Sequence, residues 1–268
     1  MSFRVALVGG GRMGSAMLRG WADSALSIHL TVFEPTPSPE LVKLVSSRGW
    51  DLNSDPSSVG TVDAVIISVK PQSFSLACEQ TIKLITGPHT LVLSIMAGLL
   101  VSKIAEATHA MRVIRAMPNT PGQIGQGITA YFTGHNVSAD DEAFAVQLLQ
   151  PLGAVEKLRT EKQMDAVTAV SGSGPAYVFL LAEALAAAGE AEGLERGLAE
   201  RLAWQTVIGS AALMAQSGQT PLELRRAVTS PEGTTAAALD VLTAGGGLIT
   251  MIRRAVEVAT HRSRQLGK

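Results

Sequence analysis

The residues with the clearest chemical meaning form a glycine-rich segment, GGGRMG, at positions 9–14. Its first, third and sixth residues have the G-x-G-x-x-G spacing, which allows a tight turn, a close backbone approach to a pyrophosphate and a helix start that faces the phosphates. The segment lies between an apolar strand pattern and a helical pattern, the context that a dinucleotide-binding loop requires; a plain glycine-rich turn is the alternative. We expect this loop to bind a dinucleotide through Gly9, Gly11, Arg12, Met13 and Gly14.

Glu34 is the candidate for binding the ribose of that dinucleotide, because it lies twenty residues after Gly14 at the end of the next strand pattern. A carboxylate there accepts hydrogen bonds from the ribose hydroxyls and repels a 2′-phosphate, which favours NADH. Arg12 has the opposite effect if its guanidinium pairs with a 2′-phosphate. Either side chain could also be a solvated surface group. The sequence therefore leaves NADH and NADPH open.

Two further loops are expected at the same edge of the sheet, since open α/β sheets bind ligands outside the carboxyl ends of their strands. One loop contains Val69, Lys70 and Pro71, and the other is Ser94–Gly98. Lys70 could place an ammonium near a phosphate or a nicotinamide, but an ordinary surface lysine at a strand end fits equally well.

A different kind of site is expected in the segment SPEGTT at positions 230–235. It has the pattern of a helix start, with Ser230 as N-cap and Pro231 as the first helical residue. Free backbone N–H groups at Gly233, Thr234 and Thr235, together with the two threonine hydroxyls, could hold a carboxylate. A plain capped helix is the alternative for this segment taken alone.

The second half of the chain lacks the usual acid–base residues. It has no lysine between Gln163 and Gly267, and the chain has no histidine between positions 136 and 260. Dehydrogenases that act on alcohols need a general acid or base, most often histidine or a buried lysine. His89, His109 and His135 could supply one from the first half, but each is expected at the surface or in a turn. A protonated imine fits better, because it accepts a hydride directly.

The elements that must position these residues change in character near residue 160. Before that point, nearly continuous apolar runs alternate with helical patterns, which predicts an open, doubly wound parallel sheet. The strand runs are Phe3–Val8, Leu30–Phe33, Ala64–Val69, Thr90–Ile95 and Met111–Met117. The helical patterns lie near Met13–Trp21, Glu40–Ser47, Phe74–Ile85 and Val101–Thr108, and another helix begins after a cap at Ser138.

After residue 160 the strand patterns stop, and 21 alanines fall in 161–268 against 16 in 1–160, which favours helix. Short side chains let such helices pack closely or intertwine with a second copy. We expect helices over Ala176–Ala191 with Pro175 as first helical residue, over Arg196–Gln216 ended by Gly218, from a cap at Thr220, and over Leu248–Gln265. We therefore predict a Rossmann-like α/β domain over residues 1–160 and an all-helical domain over 161–268.

Composition excludes several classes of function. A net charge of −1 and 4% aromatic residues give no basic field and no stacking surface for nucleic acid. The single cysteine, Cys78, forms no internal disulfide and no cysteine zinc cluster, and we expect it in the core and expect no metal site. We find no signal peptide and no apolar run of about 20 residues that would span a membrane. These features predict a soluble, cytoplasmic protein.

Taken together, the motifs resemble those of the pyrroline-5-carboxylate reductase family, in the family's order and over nearly the whole chain. The matching segments are GGGRMG at 9–14, VKPQ at 69–72, RAMPNTP at 115–121, DAVTAVSGSGPAY at 165–177 and VTSPEGTTAAAL at 228–239. The last three segments are specific, whereas GGGRMG alone would not be.

The resemblance implies NAD(P)H-dependent reduction of the cyclic imine 1-pyrroline-5-carboxylate to L-proline, the last step of proline biosynthesis. It also implies a helical domain that interlocks with a second copy, in dimers that often form a ring of dimers. Thr235 is implied as the catalytic residue whose hydroxyl meets the substrate nitrogen. The implied substrate-binding residues are Glu161, Ser230, Gly233, Thr234, Met117, Pro118 and Asn119. The implied cofactor contacts beyond the glycine loop are Val69, Lys70, Pro71, Ala97 and Gly98.

Two positions depart from the family pattern. Glu232 replaces the first glycine of the common SPGGTT, and its carboxylate is unfavourable beside an anion unless it points outward. Ala227 stands where some relatives have an asparagine that contacts the cofactor. The rival interpretations are a β-hydroxyacid dehydrogenase, which needs a lysine that the helical domain lacks, and a non-catalytic nucleotide-sensing protein.

Overall fold

The computed structural model describes residues 2–266, and in these residues one eight-stranded sheet has the order β3-β2-β1-β4-β5-β6-β7-β8. Its strands are β1 Phe3–Val8, β2 Ile28–Phe33, β3 Asp51–Leu52, β4 Ala64–Ile67, β5 Leu91–Ser94, β6 Arg112–Met117, β7 Gly127–Thr133 and β8 Gly153–Lys157. The first six strands are parallel, and only the β6–β7 pair is antiparallel. The predicted doubly wound sheet is confirmed.

The sheet is buried on both faces because its central strands are apolar at most positions. In β1, Val5 and Leu7 belong to one hydrophobic cluster, whereas Ala6 and Val8 belong to a second cluster on the opposite face. Successive strand residues point to opposite faces, so a continuous apolar run requires helices on both sides.

The helices of this α/β part have the predicted order. They are α1 Arg12–Ala22, α2 Pro39–Ser47, α3 Pro56–Val59, α4 Phe74–Ala77, α5 Lys83–Ile85, α6 Val101–Thr108, α7 Ala139–Leu149 and α8 Met164–Val167. A π-helical turn, Cys78–Ile82, joins α4 to α5, so the helix predicted over 74–85 is continuous but widened in the middle. Cys78 is buried as expected, and this burial raises the pKa of its thiol to about 11.

The remaining helices are α9 Gly174–Ala191, α10 Arg196–Ser217, α11 Pro221–Ala227, α12 Thr234–Thr243 and α13 Leu248–Leu266. Gly218 ends α10 with a left-handed φ of 67°, and Thr220 caps α11 in a capping box, both as predicted. Pro175 is the second residue of α9 and not the first, because Ser173 is the N-cap. The predominantly helical C-terminal region is confirmed.

The chain forms two compact units, one comprising residues up to Gly172 together with those from Ala259 onward, and the other comprising Ser173–Val258. The second unit has almost no core of its own, since Ala199 and Ala203 are its only buried hydrophobic residues. Large apolar side chains are exposed to solvent instead; Phe179 is 62% exposed and Trp204 is 55% exposed. An exposed apolar surface of this extent is typical of a protein that associates with a partner.

Three strands escaped prediction for identifiable reasons. β3 has two residues, too few to carry a pattern. β7 and β8 each begin at a glycine and lie at one end of the sheet, where β8 is partly exposed along its length. The continuous apolar runs of buried parallel strands are therefore missing in this region.

One helical stretch in residues 2–266, Glu161–Ala191, is long and apolar enough by length and composition to cross a membrane, and α12 with α13 would form a second, bent one. Such stretches are weak grounds for a membrane location, because helices that pack in soluble proteins pass the same test. Over the same residues, no group of three or more His, Cys, Asp or Glu side chains could hold a metal ion.

Candidate active site

A cavity of about 660 Å³ opens at the carboxyl ends of β1, β2 and β4. Strand order reverses between β1 and β4, the position at which doubly wound sheets bind their ligands. Of the predicted cofactor residues, the structure places five in the cavity wall: Gly9, Gly11, Glu34, Val69 and Lys70. The others lie outside that wall, in the start of α1, after Lys70 and after β5: Arg12, Met13, Gly14, Pro71, Ala97 and Gly98.

The glycine loop fits a dinucleotide on steric grounds. Gly9 has a φ of 103°, and a Cβ there would fall 2.5 Å from the Ser68 carbonyl oxygen. A Cβ on Gly14 would overlap the carbonyl oxygen of Gly9, so both glycines are needed for close packing of strand, loop and helix. A Cβ on Gly11 would meet open space, which leaves the backbone accessible to a pyrophosphate. The first turn of α1, which begins at Arg12, presents N–H groups that no helical carbonyl accepts.

Glu34 has a fixed carboxylate in the cavity wall. Its Oε2 accepts a hydrogen bond from the Gly10 N–H at 2.7 Å, and its Oε1 accepts one from the Thr36 N–H at 3.1 Å. Asn53 holds the Glu34 backbone from both sides, with hydrogen bonds of 2.8 Å to its N–H and its carbonyl. Among the described residues that line the cavity, Lys70 is the only cation. The structure therefore presents a negative charge where the ribose of a dinucleotide is expected.

The stretch Met117–Asn119 packs against a π-helical turn, Thr168–Gly172, within the first unit. The Asn119 Nδ2 donates to the Ser171 hydroxyl at 3.2 Å, and its Oδ1 accepts from the Ile128 N–H at 3.0 Å. A Cβ on Gly172 would lie 2.8 Å from the Met117 methyl carbon. A Cβ on Gly172 would displace only the flexible end of the Met117 side chain, so this packing does not by itself require glycine. The Asn119 amide holds the two segments together.

Glu161 contacts two groups of the α/β unit. Its Oε1 accepts a hydrogen bond from the Val101 N–H at 2.7 Å and pairs with Arg115 Nη1 at 3.1 Å. Arg115 was not among the predicted site residues. Its charge inside the apolar run at 111–117 could have indicated a buried ion pair.

The start of α12 differs from the prediction. The helix begins at Thr234 with Gly233 as N-cap, so Ser230 is not the N-cap and Pro231 is not the first helical residue. Residues 230–233 form a β-turn, closed by a 3.2 Å hydrogen bond from the Gly233 N–H to the Ser230 carbonyl, and Glu232 has a φ of 59°. The prediction was wrong because proline after serine suits the second position of a turn as well as the first turn of a helix.

The turn changes which groups are available for a carboxylate. The Gly233 N–H is already bonded within the turn, so the N–H groups that no helical carbonyl accepts belong to Thr234, Thr235 and Ala236. Thr235 is the second helical residue and is partly buried. The predicted anion site thus has its backbone donors one position further along the chain.

Replacing Glu232 by glycine should stabilise the protein. A residue with a side chain in a left-handed conformation costs about 1 kcal/mol, and glycine avoids most of that cost. We expect Glu232→Gly to raise the free energy of unfolding by about 1 kcal/mol, measured by urea denaturation at one fixed protein concentration. Glu232→Ala is the matched control, because it removes the same carboxylate and keeps the strain; equal stabilisation by both variants would assign the effect to charge.

Comparison with known proteins gave matches over the whole chain. Residues 161–266 match the family described as pyrroline-5-carboxylate reductase dimerisation, and residues 4–98 match coenzyme F420-dependent NADP oxidoreductase. The pyrroline-5-carboxylate reductase of Pseudomonas aeruginosa is 37% identical, over 99% of this chain and 97% of its own length. That of Synechocystis sp. is 38% identical, over the full length of both proteins.

Solved structures agree with these relatives. A pyrroline-5-carboxylate reductase from Coxiella burnetii superposes with a TM-score of 0.89 at 31% identity, over 100% of both chains. The Plasmodium falciparum pyrroline carboxylate reductase with NADP bound has a TM-score of 0.82 at 29% identity, over 99% of this chain and 98% of that chain.

Proposed function

Since this chain belongs to the pyrroline-5-carboxylate reductase family, we infer that it reduces 1-pyrroline-5-carboxylate to L-proline with NAD(P)H. The observation that carries this function is identity of 37–38% over the full chain to reductases of that name. The cavity beside the glycine loop agrees, because its glycines fit a dinucleotide.

NAD(P)H, when bound, supplies the hydride for the imine carbon. The glycine loop and the first turn of α1 bind the pyrophosphate, and Glu34 binds the adenosine ribose. The N–H groups of Thr234 and Thr235 hold the substrate carboxylate at the N-terminus of α12. The Thr235 hydroxyl oxygen would accept a hydrogen bond from the N–H of the protonated ring nitrogen, and so would orient the C=N bond.

The proton balance needs no histidine. A protonated imine that gains a hydride becomes the secondary amine of proline, so its nitrogen keeps the proton that it brought. All five histidines are exposed, which agrees with chemistry that does not use them. We keep Ser230 and Met117–Asn119 as proposed substrate-side residues, and Lys70, Pro71, Ala97 and Gly98 as proposed cofactor contacts. Glu161 is bonded to the Val101 N–H and to Arg115, so we propose a positioning role for it in place of substrate contact.

The decisive experiment is spectrophotometric. Purified protein is mixed with 1-pyrroline-5-carboxylate and either NADH or NADPH, and loss of the reduced nicotinamide absorbance is followed while L-proline is quantified. We expect stoichiometric proline with at least one coenzyme. No oxidation with either coenzyme would refute the reductase function.

We propose that the protein forms homo-oligomers, because residues 161–266 match the family described as pyrroline-5-carboxylate reductase dimerisation. We propose that residues 161–268 form the dimerisation domain, that the smallest unit is a dimer, and that dimers assemble into a ring. The exposed apolar surface of residues 173–258 supports this proposal, because these residues bury almost nothing among themselves. We propose a cytoplasmic location, without nucleic acid or membrane as partner. The net charge of −1 gives no basic surface for nucleic acid, and the proposed substrate, product and coenzyme are all water-soluble.

Light scattering coupled to size-exclusion chromatography tests the assembly. We expect a mass that is an even multiple of the 28.0 kDa chain at micromolar concentration. A stable monomer would contradict the proposal, because the exposed apolar surface would then stay in contact with water. Burying such a surface in an interface is favourable by about 25 cal/mol per Å².

A further inference from the structure

Arg115 is a charged residue inside the sheet. It lies in β6 between Ser94 of β5 and Phe132 of β7, and only 2% of its side chain is exposed. Its Nη1 pairs with Glu161, whereas its Nε and Nη2 have no hydrogen-bond partner among the described residues. A buried guanidinium is tolerated only when a counter-ion compensates it, so the position of Glu161 is strongly constrained.

The same Glu161 carboxylate supplies a helix cap over a long distance in sequence. Val101 is the first residue of α6, and the preceding residue, Leu100, has no side-chain group that could accept a hydrogen bond. Glu161, 60 residues later, accepts the Val101 N–H at 2.7 Å. A negative charge at this end of a helix is also favoured by the helix dipole.

This cap fixes one end of the loop between β5 and α6, which contains Ala97 and Gly98. The other end is held where the Ile95 N–H donates to the Ile67 carbonyl of β4 at 3.0 Å. Gly98 has a φ of 86°, which is a conformation that few other residues adopt. The loop is therefore anchored at both ends, by the Ile95 bond to β4 and by the Glu161 bond to the start of α6.

We propose that Glu161 and Arg115 are positioning residues, which hold the loop at 97–98 in the shape that receives the cofactor. The proposal rests on the proposed function, because it takes this loop as a cofactor contact. It gives Glu161 a role through the loop and not through direct contact with the substrate. Arg115 fixes the position of the Glu161 carboxylate through their ion pair. The hydrogen bond from the Val101 N–H to that carboxylate then fixes the end of the loop.

Hydrogen exchange followed by mass spectrometry tests the anchor without any turnover. We expect Glu161→Ala to accelerate exchange in the peptide covering 97–104 by about tenfold. Loss of an ordinary helix cap changes the equilibrium between closed and open states by about this factor. Glu161→Gln keeps an oxygen that accepts the Val101 N–H, so it should restore most of the protection. Glu106→Ala is the matched control, because it breaks an exposed ion pair with Lys103 on the same helix.

Cofactor binding and kinetics complete the test. We expect Glu161→Ala to raise the dissociation constant of NADH or NADPH about tenfold, with an unchanged KM for the imine. Unchanged exchange at 97–104, or a change confined to the KM for the imine, would overturn the proposal. Wild-type protein that oxidises neither coenzyme would refute the reductase function instead, and the exchange result would still decide whether Glu161 anchors the loop.

Discussion

Thr235→Ala is expected to lower kcat about a hundredfold, with little change in the dissociation constant of the coenzyme. The variant removes one hydroxyl from the second residue of α12 and keeps the backbone N–H groups of that helix turn. Loss of one positioned hydrogen-bonding group at a reacting centre typically costs a factor of about 10² to 10³. Steady-state kinetics with the imine, together with coenzyme titration followed by fluorescence, measure the two quantities separately.

Two variants make this result specific. Thr235→Ser keeps the hydroxyl and should recover most of the activity. Thr243→Ala removes a threonine hydroxyl at the other end of the same helix, where it is bonded to the Leu239 carbonyl at 2.7 Å, and should leave kcat unchanged. If Thr235→Ala weakened coenzyme binding and left kcat intact, the role assigned to Thr235 would be wrong.

Glu34→Gln should change the coenzyme preference. We expect the wild-type protein to prefer NADH, because the fixed Glu34 carboxylate faces the ribose and repels a 2′-phosphate. Two unit charges 4 Å apart interact with about 4 kcal/mol at an effective dielectric constant of 20, and 1.4 kcal/mol is a factor of ten. Allowing for screening, we expect the ratio of kcat/KM for NADPH to that for NADH to rise at least about tenfold.

The glutamine is a close steric match, since its amide oxygen can still accept the Gly10 N–H that Glu34 binds at 2.7 Å. Glu34→Asp keeps the charge and should retain the preference for NADH. Kinetic constants for both coenzymes, measured on all three proteins, test the argument. A wild-type protein with a strong preference for NADPH would show that Glu34 does not exclude the 2′-phosphate.

Much of the α/β unit could be predicted because its signals are local. Glycine spacing, apolar runs and helix caps depend on neighbours within a few residues, so the strand at 3–8, the glycine loop and the capped helix after Ser138 lie where the sequence places them. The two edge strands were missed for different reasons: β3 has only two residues, and β8 is half-exposed and begins at a glycine, so that it resembles a loop.

The start of α12 shows how local signals can compete. Serine followed by proline suits both a helix cap and a β-turn, and only the folded chain adopts one of them. In the structure the turn comes first, and it places Glu232 in a conformation that glycine prefers. The glycine that the family resemblance implies at this position would avoid the conformational cost that Glu232 carries.

The sequence by itself determined the class of fold, the dinucleotide loop and the kind of chemistry. These follow from residue types at short spacing, from the absence of lysine between Gln163 and Gly267, and from the absence of histidine between positions 136 and 260. Only the tertiary structure joined Arg115, Val101 and Glu161, which lie 14 and 46 residues apart along the chain. A buried charge must find its counter-ion in space, and the sheet register that brings them together depends on packing over the whole unit. For the same reason, the fixed orientation of the Glu34 carboxylate toward Gly10 became visible only in the folded protein.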